Sequence, residues 1–427
     1  MAERVSPAQR LAGSVSLPGD KSISHRYAML GAIAEGVTRI RNYSTGADCA
    51  STLECLRALG VAVERKGTSV SISGCGLHGL REPGRVLDAG NSGSIMRMLP
   101  GILAAQRFPT RITGDESVLR RPVDRILRPL EAMGAAVSAR DGRFPPLELR
   151  PARLRPVDYE IPVPSAQVKT CILFAGLYAD GVTTVRETVR TRDHTELALK
   201  EFGAELDVEG RAILVRGPAR LKARELSVPG DLSSAAFFIA AALLVPGSEI
   251  SIEAVGLNPT RSALIDFLVS MGAPIRIRGP EFRAGEAVGS LDIRHAPLRG
   301  GVIEKGLTAA LIDEIPVLAV LGAASEEGLT VLNAAELRIK ETDRIASVAE
   351  NLSRMGVKVE VWQDGFRVPG RQRFRTAALH SFGDHRIAMA FAVASLAADG
   401  ECSIEGAEAA AVSFPEFFDL LNGLRVR

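Results

Sequence analysis

At 427 residues the chain is longer than one hydrophobic core usually serves, so two domains are the default expectation. It holds 46% hydrophobic and 24% charged residues with a net charge of +2, which excludes bulk disorder and any nucleic-acid or membrane surface built on overall charge. Five cysteines, Cys49, Cys55, Cys75, Cys171 and Cys402, are odd in number and form no Cys-x-x-Cys pair, so neither a disulfide framework nor a zinc site is favoured and they read as reduced, small core residues. The first residues lack an apolar signal core, and the longest apolar runs, near 235–245 and 387–398, are too short to span a bilayer; a soluble, cytoplasmic protein is expected.

Six Ala-rich apolar helices are predicted along the chain. They start at Asp20-Lys21-Ser22, Asn91-Ser92-Gly93, Ser165-Ala166-Gln167, Asp231-Leu232-Ser233, Asp313-Glu314-Ile315 and Asp384-His385-Arg386. Each runs 15 to 17 residues to a turn, near Gly36, Phe108-Pro109, Gly181, Gly247, Gly328 and Gly400, and a β-branched strand follows. Successive turns are 72, 73, 66, 81 and 72 residues apart, a longer period than that of solenoid repeats. Second helices are readable at 51–59, 123–133, 195–202, 261–271 and 343–355, several ending on Met-Gly or Phe-Gly, where glycine supplies a left-handed C-cap. Short alternating strands follow, at 137–139, 205–208, 274–277 and 357–361, so each repeat reads as a βαβαββ unit. Leu17-Pro18-Gly19-Asp20 and Val228-Pro229-Gly230-Asp231 are near-copies, each a Pro-Gly turn opening a three-repeat half.

The helices are apolar all round and belong to the core, which leaves their starts as the place for chemistry. Unpaired N–H groups and partial positive charge at a helix N-terminus attract anions. Ordinary capping accounts for Asp20, Ser165, Asp231 and Asp384 but not for Lys21, Arg26, Arg97, Lys169 or Arg386, since cations there oppose the dipole. Lys21, Ser22 and Arg26 cluster at the first start, Arg120 and Arg121 precede Pro122, and Lys340, Glu341 and Arg344 are spaced so that Lys340 and Arg344 would share one helical face. Alone, that last group is an ordinary salt-bridged surface helix. Beside Asp313 and Glu314 it supplies a base, an acid and fixed cations, as a reaction between two anionic substrates requires.

In order along the chain, Asp-Lys-Ser at 20–22, Asn-x-Gly-Ser at 91–94, Arg-Arg-Pro at 120–122, Ser-Ala-Gln-Val-Lys at 165–169, Thr-Arg-Asp-His-Thr-Glu at 191–196, Asp313-Glu314, Lys-Glu-Thr-Asp-Arg at 340–344 and Gly-Asp-His-Arg-Ile-Ala at 383–388 make nearly the whole sequence resemble the 5-enolpyruvylshikimate-3-phosphate synthase family. The resemblance implies an α/β fold of two domains, each an inside-out α/β barrel of three βαβαββ units, closing over the substrates. One would comprise 1–19 and 231–427, with the catalytic carboxylates and phosphoenolpyruvate-side residues. The other would be 20–230, mainly for shikimate 3-phosphate, with crossings near 17–21 and 228–231. It implies transfer of the enolpyruvyl group of phosphoenolpyruvate to the 5-hydroxyl of shikimate 3-phosphate by addition and elimination through a tetrahedral intermediate.

By the same resemblance, shikimate 3-phosphate meets Lys21, Ser22, Arg26, Ser165, Ala166, Gln167, Arg192, Asp313 and Lys340. Phosphoenolpyruvate meets Lys21, Gly93, Arg121, Gln167, Arg344 and Arg386. Asp313 takes the hydroxyl proton, while Glu341 and Lys21 handle the proton at the methylene carbon. No cofactor or metal is implied, the partners are the two small substrates rather than nucleic acid or membrane, and a monomer is expected. Val412 stands where many members carry lysine, Ala166 replaces a second serine and Met98 a proline, which resembles the family's divergent second class. That class often has Ala at the place of Gly93, which blocks glyphosate sterically; here glycine stands instead, so glyphosate is expected to compete with phosphoenolpyruvate. The sister transferase acting on a UDP-linked amino sugar would need a cysteine within 113–129, where none stands, and asparagine in place of Ser22. RNA 3′-phosphate cyclases would need a nucleotidyl-accepting histidine, for which only His385 could be nominated. A non-catalytic anion-binding module would lack the acid–base carboxylates, yet Asp313 and Glu341 are both present.

Overall fold

The structure, a computed structural model, describes residues 2–426. The chain divides into two units: Gly19–Val228 with Arg283–Glu286, and Met1–Pro18 with Pro229–Phe282 and Ala287–Arg427.

The first of these is built on the helices Lys21–Ile33, Gly93–Leu103 and Ala166–Gly176, whose side chains are almost all buried. Helices with no polar face must be covered on every side. Three four-stranded sheets do this, and they repeat one topology. A short leading strand pairs in parallel with the strand that follows the central helix, and two antiparallel strands complete the sheet. In the second repeat the leading strand is Leu87–Asp88, followed by Thr110–Thr113, Phe144–Arg150 and Ala136–Arg140. In the first repeat the leading strand comes from the far end of the unit: Glu225–Ser227 pairs in parallel with Glu35–Arg41, Leu226 opposite Ile40. Gly36 lies inside that strand rather than in a turn before it, so helix and strand join more tightly there than the spacing suggests. Close packing sets the identity of some glycines. A Cβ on Gly101 would lie 2.2 Å from the Cys171 carbonyl oxygen, so the Gly93–Leu103 and Ala166–Gly176 helices touch backbone to backbone.

The second unit repeats the plan with the helices Leu232–Leu244, Ile315–Ala324 and His385–Ser395. Its first sheet borrows the N-terminal strand Arg10–Ser16, parallel to Glu249–Gly256, and Arg425–Val426 is added at its edge. Its third sheet joins Ala2–Val5 antiparallel to Cys402–Glu405. Each unit has one hydrophobic core.

The helix starts are capped as the side chains suggest. Asp20 accepts from Ile23 N at 2.9 Å, Ser92 from Ile95 N at 3.2 Å, Ser165 from Val168 N at 3.4 Å, Asp231 from Ser233 N at 2.8 Å and Asp384 from Arg386 N at 2.8 Å. The fifth central helix, Ile315–Ala324, has no such bond and starts instead with proline in its first turn. One local expectation fails. Residues 340–343 are not helical: a 3₁₀ turn, Ala335–Ile339, ends at Lys340, and Arg344 is the first residue of a new helix, Arg344–Arg354, capped by Asp343. Lys340 and Arg344 therefore share no helical face. Four of the cysteines are buried thiols, as expected, whereas Cys75 is exposed.

Candidate active site

In the Gly19–Val228 unit, three helix starts carry the polar groups. Lys21, the first residue of its helix, sets its Nζ 3.0 Å from Asp48 Oδ2. Burial works against the Asp48 carboxylate, but the Lys21 ammonium and His25 outweigh it and hold the carboxyl well below the usual carboxylate range. Arg26, one turn on, is buried and fully directed: Nε donates to Thr195 Oγ1 at 2.6 Å, Nη2 to Thr170 Oγ1 at 2.8 Å and Nη1 to the Ser22 carbonyl at 2.9 Å. Burial lowers its pKa from the ordinary value, though a guanidinium keeps its charge. A fork fixed in this way would need little reorganisation to meet an anion.

At the second start Gly93 opens the helix between two guanidinium groups. A Cβ there would lie 2.7 Å from Arg97 Nη1 and 3.3 Å from Arg121 Nη1. Arg97 donates to Gln167 Oε1 at 3.2 Å, and Gln167 donates to Ser94 Oγ at 3.1 Å, which ties the second start to the third. Arg121 donates to Ser117 Oγ at 2.7 Å and Asn91 Oδ1 at 3.3 Å. The adjacent arginines thus part ways: Arg121 turns inward and Arg120 is exposed.

Lys169 does not belong with the anion-facing cations. It is wholly buried, 3.1 Å from Glu187 Oε2 and 2.6 Å from Glu196 Oε1, and serves as a counter-ion inside the unit. Burial raises the Glu196 carboxyl against the pull of Lys169. Glu187 also accepts from Thr191 N at 3.1 Å, which anchors the 190–193 segment that carries Arg192. Arg192 lies close enough to Arg26 to oppose its charge.

The other unit gathers a second set. Asp313 lies just before the Ile315–Ala324 helix with Lys340 Nζ and Arg344 Nη1 each 3.6 Å from its Oδ1, while Arg386 Nη1 donates to its carbonyl at 2.9 Å. Arg344 is 1% exposed and held by three carboxylates: Nε to Asp384 Oδ2 at 2.8 Å, Nη2 to Glu341 Oε2 at 2.7 Å, and Asp313. Burial disfavours its charge, but Asp384, Glu341 and Asp313 more than compensate and raise its pKa well above normal. Its buried Nη1 makes no hydrogen bond, leaving an N–H that suits an anionic oxygen. Glu314, at the same helix start, faces inward and accepts from Ser233, which itself accepts from Arg261. It therefore acts as a structural ion, whereas half-buried Asp313 and Glu341 keep contact with solvent.

Each predicted residue thus falls in one of two local clusters. Asp48, Thr170, Thr195 and Asp384 join them as partners. Asp48 carries no local motif that marks it as Lys21's counter-ion, and the sequence around Asp384 marks it only as a cap. A carboxylate ringed by cations beside a second acid, and a separate set of forked cations at helix starts, suit proton transfer between anionic substrates.

A profile described as EPSP synthase (3-phosphoshikimate 1-carboxyvinyltransferase) matches residues 5–421. The chain belongs to the EPSP synthase family. It is 63% identical over 422 residues to a 3-phosphoshikimate 1-carboxyvinyltransferase of Solibacter usitatus, covering 99% of both chains, and 53% identical to the protein of that name from Koribacter versatilis, covering 98% of both. Among solved structures, EPSP synthase of Acinetobacter baumannii superposes with a TM-score of 0.89 at 39% identity, over 99% of this chain and 98% of the other. The enolpyruvyl transferase NikO of Streptomyces tendae shares the fold, with a TM-score of 0.81 at 20% identity over 99% of this chain and 96% of its own. The EPSP synthase activity is enolpyruvyl transfer from phosphoenolpyruvate to shikimate 3-phosphate with release of phosphate. Among the described residues no helix is long and apolar enough to cross a membrane.

Proposed function

We propose that the two residue sets divide the work of this EPSP synthase as follows. Shikimate 3-phosphate is held by Lys21, Ser22, Arg26, Ser165, Ala166, Gln167, Arg192, Asp313 and Lys340, and phosphoenolpyruvate by Lys21, Gly93, Arg121, Gln167, Arg344 and Arg386. Asp313 accepts the proton of the attacking 5-hydroxyl. Glu341 and Lys21 deliver a proton to the methylene carbon and remove one as the tetrahedral intermediate expels phosphate. The observation that carries the reading is the Asp313 carboxylate at a helix start with Lys340 and Arg344 both 3.6 Å from one of its oxygens. Those cations balance its charge, and an alcohol brought there meets a fixed carboxylate next to groups that balance the substrates' negative charge. The reading extends to a cytoplasmic monomer needing no metal or organic cofactor.

The test is phosphate release from the purified chain with chelator present. Release should require both substrates and yield enolpyruvylshikimate phosphate. Asp313→Asn, nearly isosteric, should lower kcat by ~10²–10⁴-fold, the usual share of a general base, with a far smaller change in KM. Equal losses in both constants would assign Asp313 to binding alone.

A further inference from the structure

The Gly19–Val228 unit includes one short segment from much further along the chain, Arg283–Glu286. It is the turn between the strands Ile275–Arg283 and Glu286–Arg294, with φ of 48° at Ala284 and 78° at Gly285, the positive values that tight two-residue hairpins favour. The turn packs on the helix His194–Glu201: Ala284 rests against the unit's core, and a Cβ on Gly285 would lie 3.3 Å from Leu197 Cδ2. Glu286, 1% exposed, reaches the first residue of that helix. Its Oε1 is 2.6 Å from Nδ1 of His194, which is 3% exposed and 92 residues away in sequence. An ionised carboxylate only accepts, so Nδ1 donates. The other ring nitrogen, Nε2, is buried without a hydrogen-bond partner, so among the described residues the bond to Glu286 is what sets how the imidazole is turned.

Arg192 lies between two such attachments. On one side buried Glu187 accepts from Thr191 N at 3.1 Å, and on the other Glu286 holds His194. Asp193, at the N-cap between them, makes no side-chain hydrogen bond to the helix, so the usual local device for fixing how a chain enters a helix is missing. The Glu286 carboxylate supplies a fixed point there from a distant part of the sequence. Thr195, the next residue, accepts from Arg26 Nε at 2.6 Å, so the same segment also directs the Arg26 guanidinium. Glu286 is close enough to Arg26 to favour its charge, whereas Arg192 opposes it. We propose that Glu286 is a positioning residue for shikimate 3-phosphate: through His194 it holds the Thr191–Thr195 segment so that Arg192 meets the substrate beside Arg26, given the binding role assigned to Arg192 above.

The experiment is steady-state kinetics of the full-length enzyme, with kcat and the KM for each substrate measured separately, beside thermal melting of every variant. Glu286→Ala should raise the KM for shikimate 3-phosphate by roughly 10-fold or more, the usual cost of losing a hydrogen bond to a charged group, with kcat and the KM for phosphoenolpyruvate within about 2-fold of the parent. Glu286→Gln keeps an acceptor for His194 and should recover most of that loss. Glu286→Asp keeps the charge but is one carbon too short, so it should stay near the Ala variant, and it takes that variant's place if Glu286→Ala does not fold. In an Arg192→Ala background, Glu286→Ala should add less than about 3-fold, because the group it positions is gone. A lower melting temperature with both KM values unchanged, or an equal rise in both, makes the His194–Glu286 pair a fold contact and overturns the proposal. An undiminished Glu286 effect in the Arg192→Ala background overturns the route through Arg192. If Arg192→Ala alone leaves the KM for shikimate 3-phosphate unchanged, the binding role of Arg192 is refuted, and the proposal with it.

Discussion

Gly93 marks how finely a single position is set. A methyl group there would press on the ends of Arg97 and Arg121, and Arg97 is what holds Gln167. Gly93→Ala should raise the glyphosate inhibition constant by ~10-fold or more, equivalent to ~1.4 kcal/mol, with a smaller rise in the KM for phosphoenolpyruvate. A constant already far above that KM in the unaltered enzyme would refute glyphosate competition. Asp48 makes a second prediction. Its folded pKa is depressed, so its contribution to stability is present above the unfolded value of about 4 and is lost as pH falls below it. Asp48→Asn should therefore be less stable than the parent at neutral pH, and the gap should close in urea melts taken at progressively lower pH. At this scale the sequence was partly legible. The cations and carboxylates stood in ordered short motifs, but their partners did not. Arg344 meets Asp384 across 40 residues, and Lys169 carries the same sign and helix position as the anion-facing cations yet points into the core. Helical position alone does not reveal side-chain direction where both sides are crowded.

The helices and strands were more legible than the residues, because hydrophobic period and Gly punctuation are local signals. The central helices begin within a residue or two of the expected positions, since at five of the six starts a side chain accepts from a free backbone N–H and the sixth has proline in its first turn. The miss at 340–343 has the opposite cause. Lys340, Glu341 and Arg344 satisfy a helical spacing, but Asp343 caps the next helix and Lys340 is drawn to Asp313, so tertiary ion pairs displaced the local preference. Likewise, no pattern within the first repeat shows that its leading strand arrives from residues 225–227. Helix contact supplies the prediction for this scale. Gly101→Ala improves helix propensity by up to ~1 kcal/mol, but its Cβ would lie 2.2 Å from the Cys171 carbonyl oxygen. Backbone cannot move aside cheaply, so a net loss of ~1–3 kcal/mol is expected in denaturant unfolding. A neutral or stabilising result would show that the helices can separate without loss.

For the whole molecule, the notable property is that Gly19–Val228 supplies the leading strand, the sheets and nearly all of the core of its own unit. Expressed alone, it should fold to a monomer with one cooperative transition, readable by circular dichroism and hydrogen exchange; a molten, non-cooperative fragment would show that it depends on the rest of the chain. The remaining unit is made from both ends of the chain. Its residues 2–5 pair with 402–405, and 10–11 with 425–426. On the ribosome this imposes an order of events. Ala2–Val5 is made well before its partner Cys402–Glu405, and Arg10–Ser16 before Glu249–Gly256, so these strand residues wait, roughly tens of seconds at bacterial or eukaryotic rates, while the inserted unit completes itself between them. Until 402–405 have been made, the strand-forming residues 2–5 have no partner, and for that interval they are a ready template for pairing with another chain.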